Sequence, residues 1–131
     1  MDWLHFLGWN ERQIKDLRST AYCYVEQGIY EQALTFFEAL TVFEPGNPYD
    51  LQTLGAIHLQ MGNGLKALDY LDRALKLQPD HQITKLNRAK TLFMLGYKRQ
   101  GLAQAAELEK SSDPMIADPA KAMMLTNTAT A

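Results

Sequence analysis

Cysteine is almost absent from this chain, and the absences set the first limits on its function. Cys23 is the single cysteine, so no intramolecular disulfide, zinc thiolate pair or redox pair can form. The histidines, His5, His58 and His81, are scattered and lack metal-site spacing. Thirteen basic and fifteen acidic residues give a net charge of −2, which favours neither nucleic acid nor an anionic membrane. We therefore expect a cytoplasmic protein without metal, cofactor or nucleic acid.

Long hydrophobic runs and catalytic groupings are also missing. The apolar start lacks a basic leader and is too short for a signal peptide or a membrane span. Glycines stand singly, not in a phosphate-binding run, and no nucleophile has a neighbouring acid–base partner. Cys23 is expected to be a small buried side chain, and His58 a packed one. These absences argue against an enzyme and against membrane insertion, and they favour a binding protein.

Small residues recur along the chain with a period of 34 residues. Glycines stand where the first of two helices must turn, at Gly28, Gly62 and Gly96. Other small residues would let paired helices cross closely, at Ala21, Gly55, Ala89, Ala33, Ala67 and Gly101. Prolines end the pairs at Pro45, Pro79 and Pro114. The period predicts three helical pairs, over residues 14–47, 48–81 and 82–115.

Turn chemistry predicts where the helices begin. Asn10 with Gln13 forms a capping-box pattern, and Asn47 before Pro48 is a second start signal. We expect helices at residues 11–27, 30–43, 48–61, 64–77, 82–95 and 98–110. A short helix at 116–125, starting at Asp118-Pro119, should cap the third pair. Residues 1–10 are expected to form an apolar arm that docks on the first pair or supports self-association, and 126–131 a disordered tail.

The third pair is expected to be atypical because a terminal repeat faces solvent or a cap. Lys85 and Arg88 stand there at positions where the first two pairs carry Leu17, Thr20, Leu51 and Leu54.

The central pair resembles a tetratricopeptide repeat. The residues that carry the likeness are Leu51, Leu54, Gly55, His58, Gly62, Ala67, Leu71, Ala74 and Pro79. The resemblance implies an all-α fold of three repeats in a short right-handed superhelix, with an N-terminal arm and a C-terminal capping helix. In this family the first helix of each pair lines a concave groove. The resemblance places twelve residues there: Lys15, Arg18, Tyr22, Val25, Tyr49, Gln52, Ala56, Leu59, Ile83, Leu86, Lys90 and Phe93.

This predicted groove is mostly apolar or aromatic, and exposed apolar patches mark binding sites. An amphipathic helix with anchors at i, i+3, i+4 and i+7 would suit it, with Lys15, Arg18 and Lys90 guiding acidic flanks. The alternative is that some of these side chains pack against the arm or the final helix. A carboxylate clamp is not expected, because Tyr22 and Ala56 stand where clamp asparagines would be.

Two runs narrow the resemblance. GIYEQALTFFEAL at residues 28–40 and LGAIHLQMG at 54–62 are similar to the small tetratricopeptide chaperones of bacterial type III secretion. SSDPMIAD at residues 111–118 is more similar to needle-subunit chaperones. The resemblance implies a cytoplasmic bacterial chaperone that, with a small co-chaperone, covers an amphipathic helix of a needle subunit and prevents premature polymerisation. Two alternatives stay open: a translocator chaperone that binds an extended segment, and a general tetratricopeptide adaptor.

Overall fold

Seven α-helices make up most of the computed structural model, which describes residues 7–128. They are α1 Glu11–Glu26, α2 Tyr30–Phe43, α3 Pro48–Gln60, α4 Gly64–Leu77, α5 Gln82–Met94, α6 Lys98–Glu109 and α7 Pro114–Thr128. The described part of the chain contains no strand. The first six helices agree with the predicted ranges to within one residue at each end. The all-α fold class is therefore confirmed.

Side-chain caps fix the starts of α1 and α3. The side chain of Asn10 accepts a hydrogen bond from the Gln13 amide at 3.0 Å, and Gln13 Oε1 accepts one from the Asn10 amide at 2.9 Å. Asn47 Oδ1 accepts bonds from the amides of Tyr49 and Asp50, ahead of a proline in the first turn. Both predicted caps satisfy amides that have no partner inside the helix.

The three periodic glycines end α1, α3 and α5 in the same way. Their φ angles are 74°, 80° and 84°, in the left-handed region where other residues are strained. In the first turn the Gly28 amide bonds to the Val25 carbonyl and the Ile29 amide to the Tyr24 carbonyl, and the other two turns repeat both bonds. This is a Schellman motif. The 34-residue period is therefore confirmed as a helix-ending signal.

Small residues lie where the paired helices cross. Ala21, Ala33, Ala67 and Ala89 are completely buried. A Cβ on Gly55 would stand 2.6 Å from side-chain carbons of Leu71, so α3 and α4 approach more closely than any larger residue allows. A Cβ on Gly101 would similarly meet the ring of Phe93 at 2.8 Å. The predicted role of these positions in close crossing is confirmed.

Helices that follow one another along the chain pack together, and α3 also contacts α5, as α5 contacts α7. The first helices of successive pairs thus lie side by side, and α7 stands where a fourth first helix would. One core cluster joins α1 to α3, and a second joins α5 and α6 to α7 through Leu86, Leu108, Ile116 and Ala120.

The last helix is longer than the predicted 116–125. It starts at Pro114 because Asp113 Oδ1 accepts a hydrogen bond from the Met115 amide at 2.9 Å, so the helix passes through Pro119 instead of starting there. It runs on through Thr128, which corrects the expectation of a disordered tail from residue 126. Residues 129–131, and residues 1–6 of the predicted arm, lie outside the described residues. Within the arm, Trp9 packs on Phe43 of α2 with ring centroids 5.1 Å apart.

Ion pairs account for the unusual third pair. Lys85 Nζ lies 2.6 Å from Glu107 Oε1 on α6. Arg88 donates to Asp72 on α4 at 2.7 Å and to Gln104 on α6 at 3.1 Å. The two cations therefore replace apolar contacts between helices with polar ones, and they do not simply face solvent.

Candidate functional site

A cavity of about 380 Å³ opens between α1, the start of α2, and α3. It is lined by Tyr22, Val25, Tyr30, Gln52, Thr53, Ala56, Ile57 and Gln60. Four of these belong to the predicted groove, namely Tyr22, Val25, Gln52 and Ala56. The structure thus brings together the central members of the set, from two successive first helices.

Tyr22 forms one wall of this cavity and is held on two sides. Its ring meets Phe37 edge-on with centroids 5.1 Å apart, and its hydroxyl lies 3.2 Å from Thr53 Oγ1. Thr53 already donates its proton to the Tyr49 carbonyl at 2.7 Å, so Tyr22 is the donor in this pair. The side chain is 36% exposed and presents a fixed aromatic surface to the cavity.

Tyr30 lines the cavity although it was absent from the predicted groove. The tight turn at Gly28 brings the start of α2 back beside the end of α1. Tyr30 could have been found from the sequence, because the chain reversal at Gly28 was predictable and Tyr30 follows it by two positions. Thr53, Ile57 and Gln60 were also missed, and they flank the predicted positions on α3.

Tyr49 and Ile83 lie at the starts of α3 and α5 and are both about half exposed. Tyr49 meets the ring of His81 edge-on at 5.9 Å and accepts a hydrogen bond from Gln78 Nε2 at 3.4 Å. Leu59 is half-buried near the end of α3. None of these three predicted groove residues belongs to the lining of the cavity beside Tyr22.

The third pair contributes less to the groove than predicted. Leu86 is only 7% exposed and packs with Leu108 and Ile116. The Phe93 ring fills the space beside Gly101. Leu86 therefore packs against the final helix, α7, which is the alternative that the sequence left open for some groove residues.

Arg18 forms ion pairs within the protein. It donates to Asp50 Oδ1 at 2.9 Å and to Asp50 Oδ2 at 2.8 Å, and to Glu44 Oε1 at 2.7 Å. Asp50 is completely buried in the first turn of α3. Its hydrogen bond raises the pKa of Arg18 above the ordinary value. Arg18 therefore ties the first pair to the second, and its predicted role in guiding acidic ligand residues is not supported.

Lys15 and Lys90 are exposed and form no ion pair within residues 7–128. They are the cations of the predicted groove that no carboxylate of the described residues pairs with.

His58 is packed, as predicted. It is buried and stacks on Tyr70 at 5.5 Å with an interplanar angle of 6°. Burial lowers the pKa of His58, and the charge of Lys66 adds to this while Glu38 opposes it.

The expectation for Cys23 was wrong, because the residue is exposed. It lies about 200° around α1 from the buried Ala21, on the opposite side of the helix.

The described residues contain no cluster of three or more His, Cys, Asp or Glu that could hold a metal ion. Among them no helix is both long and apolar enough to cross a membrane. The arrangement can bury apolar side chains and offer amides and hydroxyls to a peptide.

The tetratricopeptide repeat model matches residues 48–81, the range given above to the central pair. Anaphase-promoting complex subunit 3 of Schizosaccharomyces pombe is 28% identical over 86 residues, which are 66% of this chain and 13% of that protein. The mouse protein O-mannosyl-transferase TMTC1 is 34% identical over 65 residues, 50% of this chain and 7% of that protein. The chain thus spans a small fraction of the length of these curated relatives.

Solved structures are similar over nearly the whole chain. A type III secretion system complex from Aeromonas hydrophila contains a chain with a TM-score of 0.85 and 16% identity, over 97% of this chain and 88% of that one. The Yersinia enterocolitica type III secretion chaperone SycD, in complex with a peptide of the translocator YopD, has a TM-score of 0.82 and 21% identity, over 92% and 96%. The protein therefore has a fold of tetratricopeptide-like helical pairs, similar to that of type III secretion chaperones.

Proposed function

We propose that this protein is a cytoplasmic chaperone of bacterial type III secretion that holds an apolar segment of a translocator before export. The observation that carries the proposal is the cavity beside Tyr22 and Ala56, in a chain that matches a translocator chaperone over 92% of its length. Covering the apolar segment would keep the substrate soluble. The role needs no catalysis.

The shape of the site favours an extended segment over the amphipathic helix expected from the sequence. A bound helix needs a continuous apolar stripe for anchors at i, i+4 and i+7. Here Leu86 is buried under α7 and Phe93 packs on Gly101, so the stripe is reduced in the third pair. The cavity beside Tyr22 includes Gln52 and Gln60 in its lining. Such a site suits an anchor side chain whose backbone bonds to the amides.

A needle-subunit chaperone is the second candidate. The match of 97% of this chain to a chain of a type III secretion complex is equally compatible with a needle-subunit chaperone and with a translocator chaperone. The sequence support for a needle-subunit chaperone is weaker, because two of the residues that carried the likeness have a structural role in this chain. Ser111 Oγ donates to Gln82 Oε1 at 3.0 Å, and Asp113 caps α7. A general adaptor for partners outside secretion is the third.

The proposal is tested by co-expression. The protein is produced with a translocator, with a needle subunit plus its co-chaperone, or with neither. We expect a soluble complex with the translocator. If a complex forms with the needle subunit and its co-chaperone but not with the translocator, the second candidate replaces the proposal. If no complex forms with either substrate, a general adaptor becomes the best interpretation.

A matched pair of variants tests the cavity. Ala56→Glu places a carboxylate in its lining and should weaken binding of the translocator peptide at least about tenfold in calorimetry, because a buried charge would lack a partner. Ala103→Glu makes the same change at an exposed position on α6 and should bind normally. Equal affinity of both variants, each folded by circular dichroism, would remove the cavity from the mechanism.

A further inference from the structure

One row of residues crosses the first helices of the three pairs. Because α1, α3 and α5 end 34 residues apart, Tyr22, Ala56 and Lys90 each stand four residues before the end of their helix. Tyr22 and Ala56 line the cavity of the candidate site. Lys90 is exposed at the matching place on α5, which packs beside α3. These three residues form a cross-groove row in which a positive charge follows the cavity.

The charge of Lys90 has no acidic partner on the neighbouring helices. α5 itself contains no Asp or Glu. The single acid of α3 is Asp50, which is buried and paired with Arg18. The single acid of α7 is Asp118, the fifth residue of that helix, whereas Lys90 lies near the end of α5. Lys90 makes no ion pair or hydrogen bond with any side chain of residues 7–128, so its charge is available to a ligand.

The spacing of the cross-groove row determines which ligand residue can reach Lys90. Packed helices lie about 8–10 Å apart. A polyproline II segment rises about 3.1 Å per residue with three residues per turn, so residues i and i+3 lie on the same side about 9 Å apart. An apolar side chain in the cavity beside Ala56 therefore brings the residue three positions away to Lys90. In a flat β-strand that residue would point away from the groove.

We propose that Lys90 binds an acidic residue located three positions from the apolar anchor of the bound segment. This role rests on the proposed function, because the anchor must occupy the cavity. The ligand class is an extended segment in which Asp or Glu follows or precedes a large apolar residue at that spacing. Lys15, the other unpaired cation of the predicted groove, is less suited because it shares a separate cavity with Glu11 and Glu44.

A display library of random dodecapeptides tests this spacing without a known substrate. Selection on the wild-type protein should enrich peptides with Asp or Glu three positions from a large apolar residue. Selection on Lys90→Glu should enrich Lys or Arg at that position instead. Lys98→Glu makes the same charge change at an exposed position on α6, outside the cross-groove row, and should select the same peptides as the wild type.

A synthetic peptide from the wild-type selection allows a test by charge exchange. Lys90→Glu should raise its Kd about tenfold in calorimetry at low salt, where exposed charges are least screened. Replacing the acid of the peptide by lysine should restore binding to Lys90→Glu and weaken binding to the wild type. Lys98→Glu should bind both peptides as the wild type does. Circular dichroism confirms that each variant is folded.

Failure of the proposed function and failure of the role of Lys90 give different results. If no peptide is selected, or if the selected peptides bind Ala56→Glu as tightly as the wild type, the cavity is not the binding site and both proposals fail. If the selected peptides lose affinity for Ala56→Glu but carry no acid at the stated spacing, the cavity stands and the role of Lys90 is overturned. The same holds if Lys90→Glu selects the same peptides as the wild type.

Discussion

The ion pair between Arg18 and Asp50 gives a direct test of how the first two helical pairs are joined. The Asp50 carboxylate is completely buried and accepts two hydrogen bonds from Arg18. Arg18→Met keeps an unbranched side chain but removes both donors. Losing one partner of a buried pair costs about 3–5 kcal/mol, and the position of Asp50 in the first turn of α3 offsets up to about 1 kcal/mol. We expect the free energy of unfolding to fall by about 2–4 kcal/mol.

Glu44 provides the control, because its side chain is 40% exposed and Glu44→Gln should cost less than about 1 kcal/mol. With a urea slope of about 1–3 kcal/mol per molar, Arg18→Met should lower the unfolding midpoint by about 1–2 M, measured by circular dichroism. Arg18→Met with Asp50→Leu should recover much of the loss, because no unpaired charge stays buried. The reasoning is refuted if Arg18→Met costs no more than Glu44→Gln.

Three further predictions concern single side chains. Gly55→Ala should lower the free energy of unfolding by about 1–3 kcal/mol because its Cβ meets Leu71, whereas Gly46→Ala, with open space around it, should change it by less than about 0.5 kcal/mol in urea titrations. Because burial lowers the pKa of His58, the unfolded state takes up a proton first, so stability should fall as the pH drops below about 6.5. His58→Phe should flatten this part of the profile of urea midpoints. Cys23 should react fully with dithiobisnitrobenzoate in the native protein, and a need for urea would contradict its exposure.

The helical pairs could be predicted because local conformation determines their ends. Gly28 and its two repeats stand where only a left-handed residue closes the turn, and this requirement shows directly in the sequence. The start of α7 was harder to predict, because Asp113-Pro114 and Asp118-Pro119 carry the same helix-start signal. Burial of Ile116 and Ala117 against the third pair favours the earlier one, and that packing is not a local property.

The candidate site was only partly predictable because its members depend on neighbours that are distant in sequence. Repeat position placed Tyr22 and Ala56 on the same surface, and both line one cavity. The same rule placed Arg18 and Leu86 in the groove, but Arg18 pairs with Asp50, 32 residues away, and Leu86 is covered by α7. Each of these contacts is specific to this chain, so a rule drawn from repeat positions could not contain them.

The contacts between α1 and α3 explain why a cavity forms where it does. Arg18 and Tyr22 lie one turn apart on α1, and their partners Asp50 and Thr53 lie one turn apart on α3. These two successive polar contacts hold the helices at a fixed separation. At the next turn the facing residues are Val25 and Ala56, which are apolar and too small to fill that separation. The ion pair between Arg18 and Asp50 therefore helps to hold open the cavity beside it.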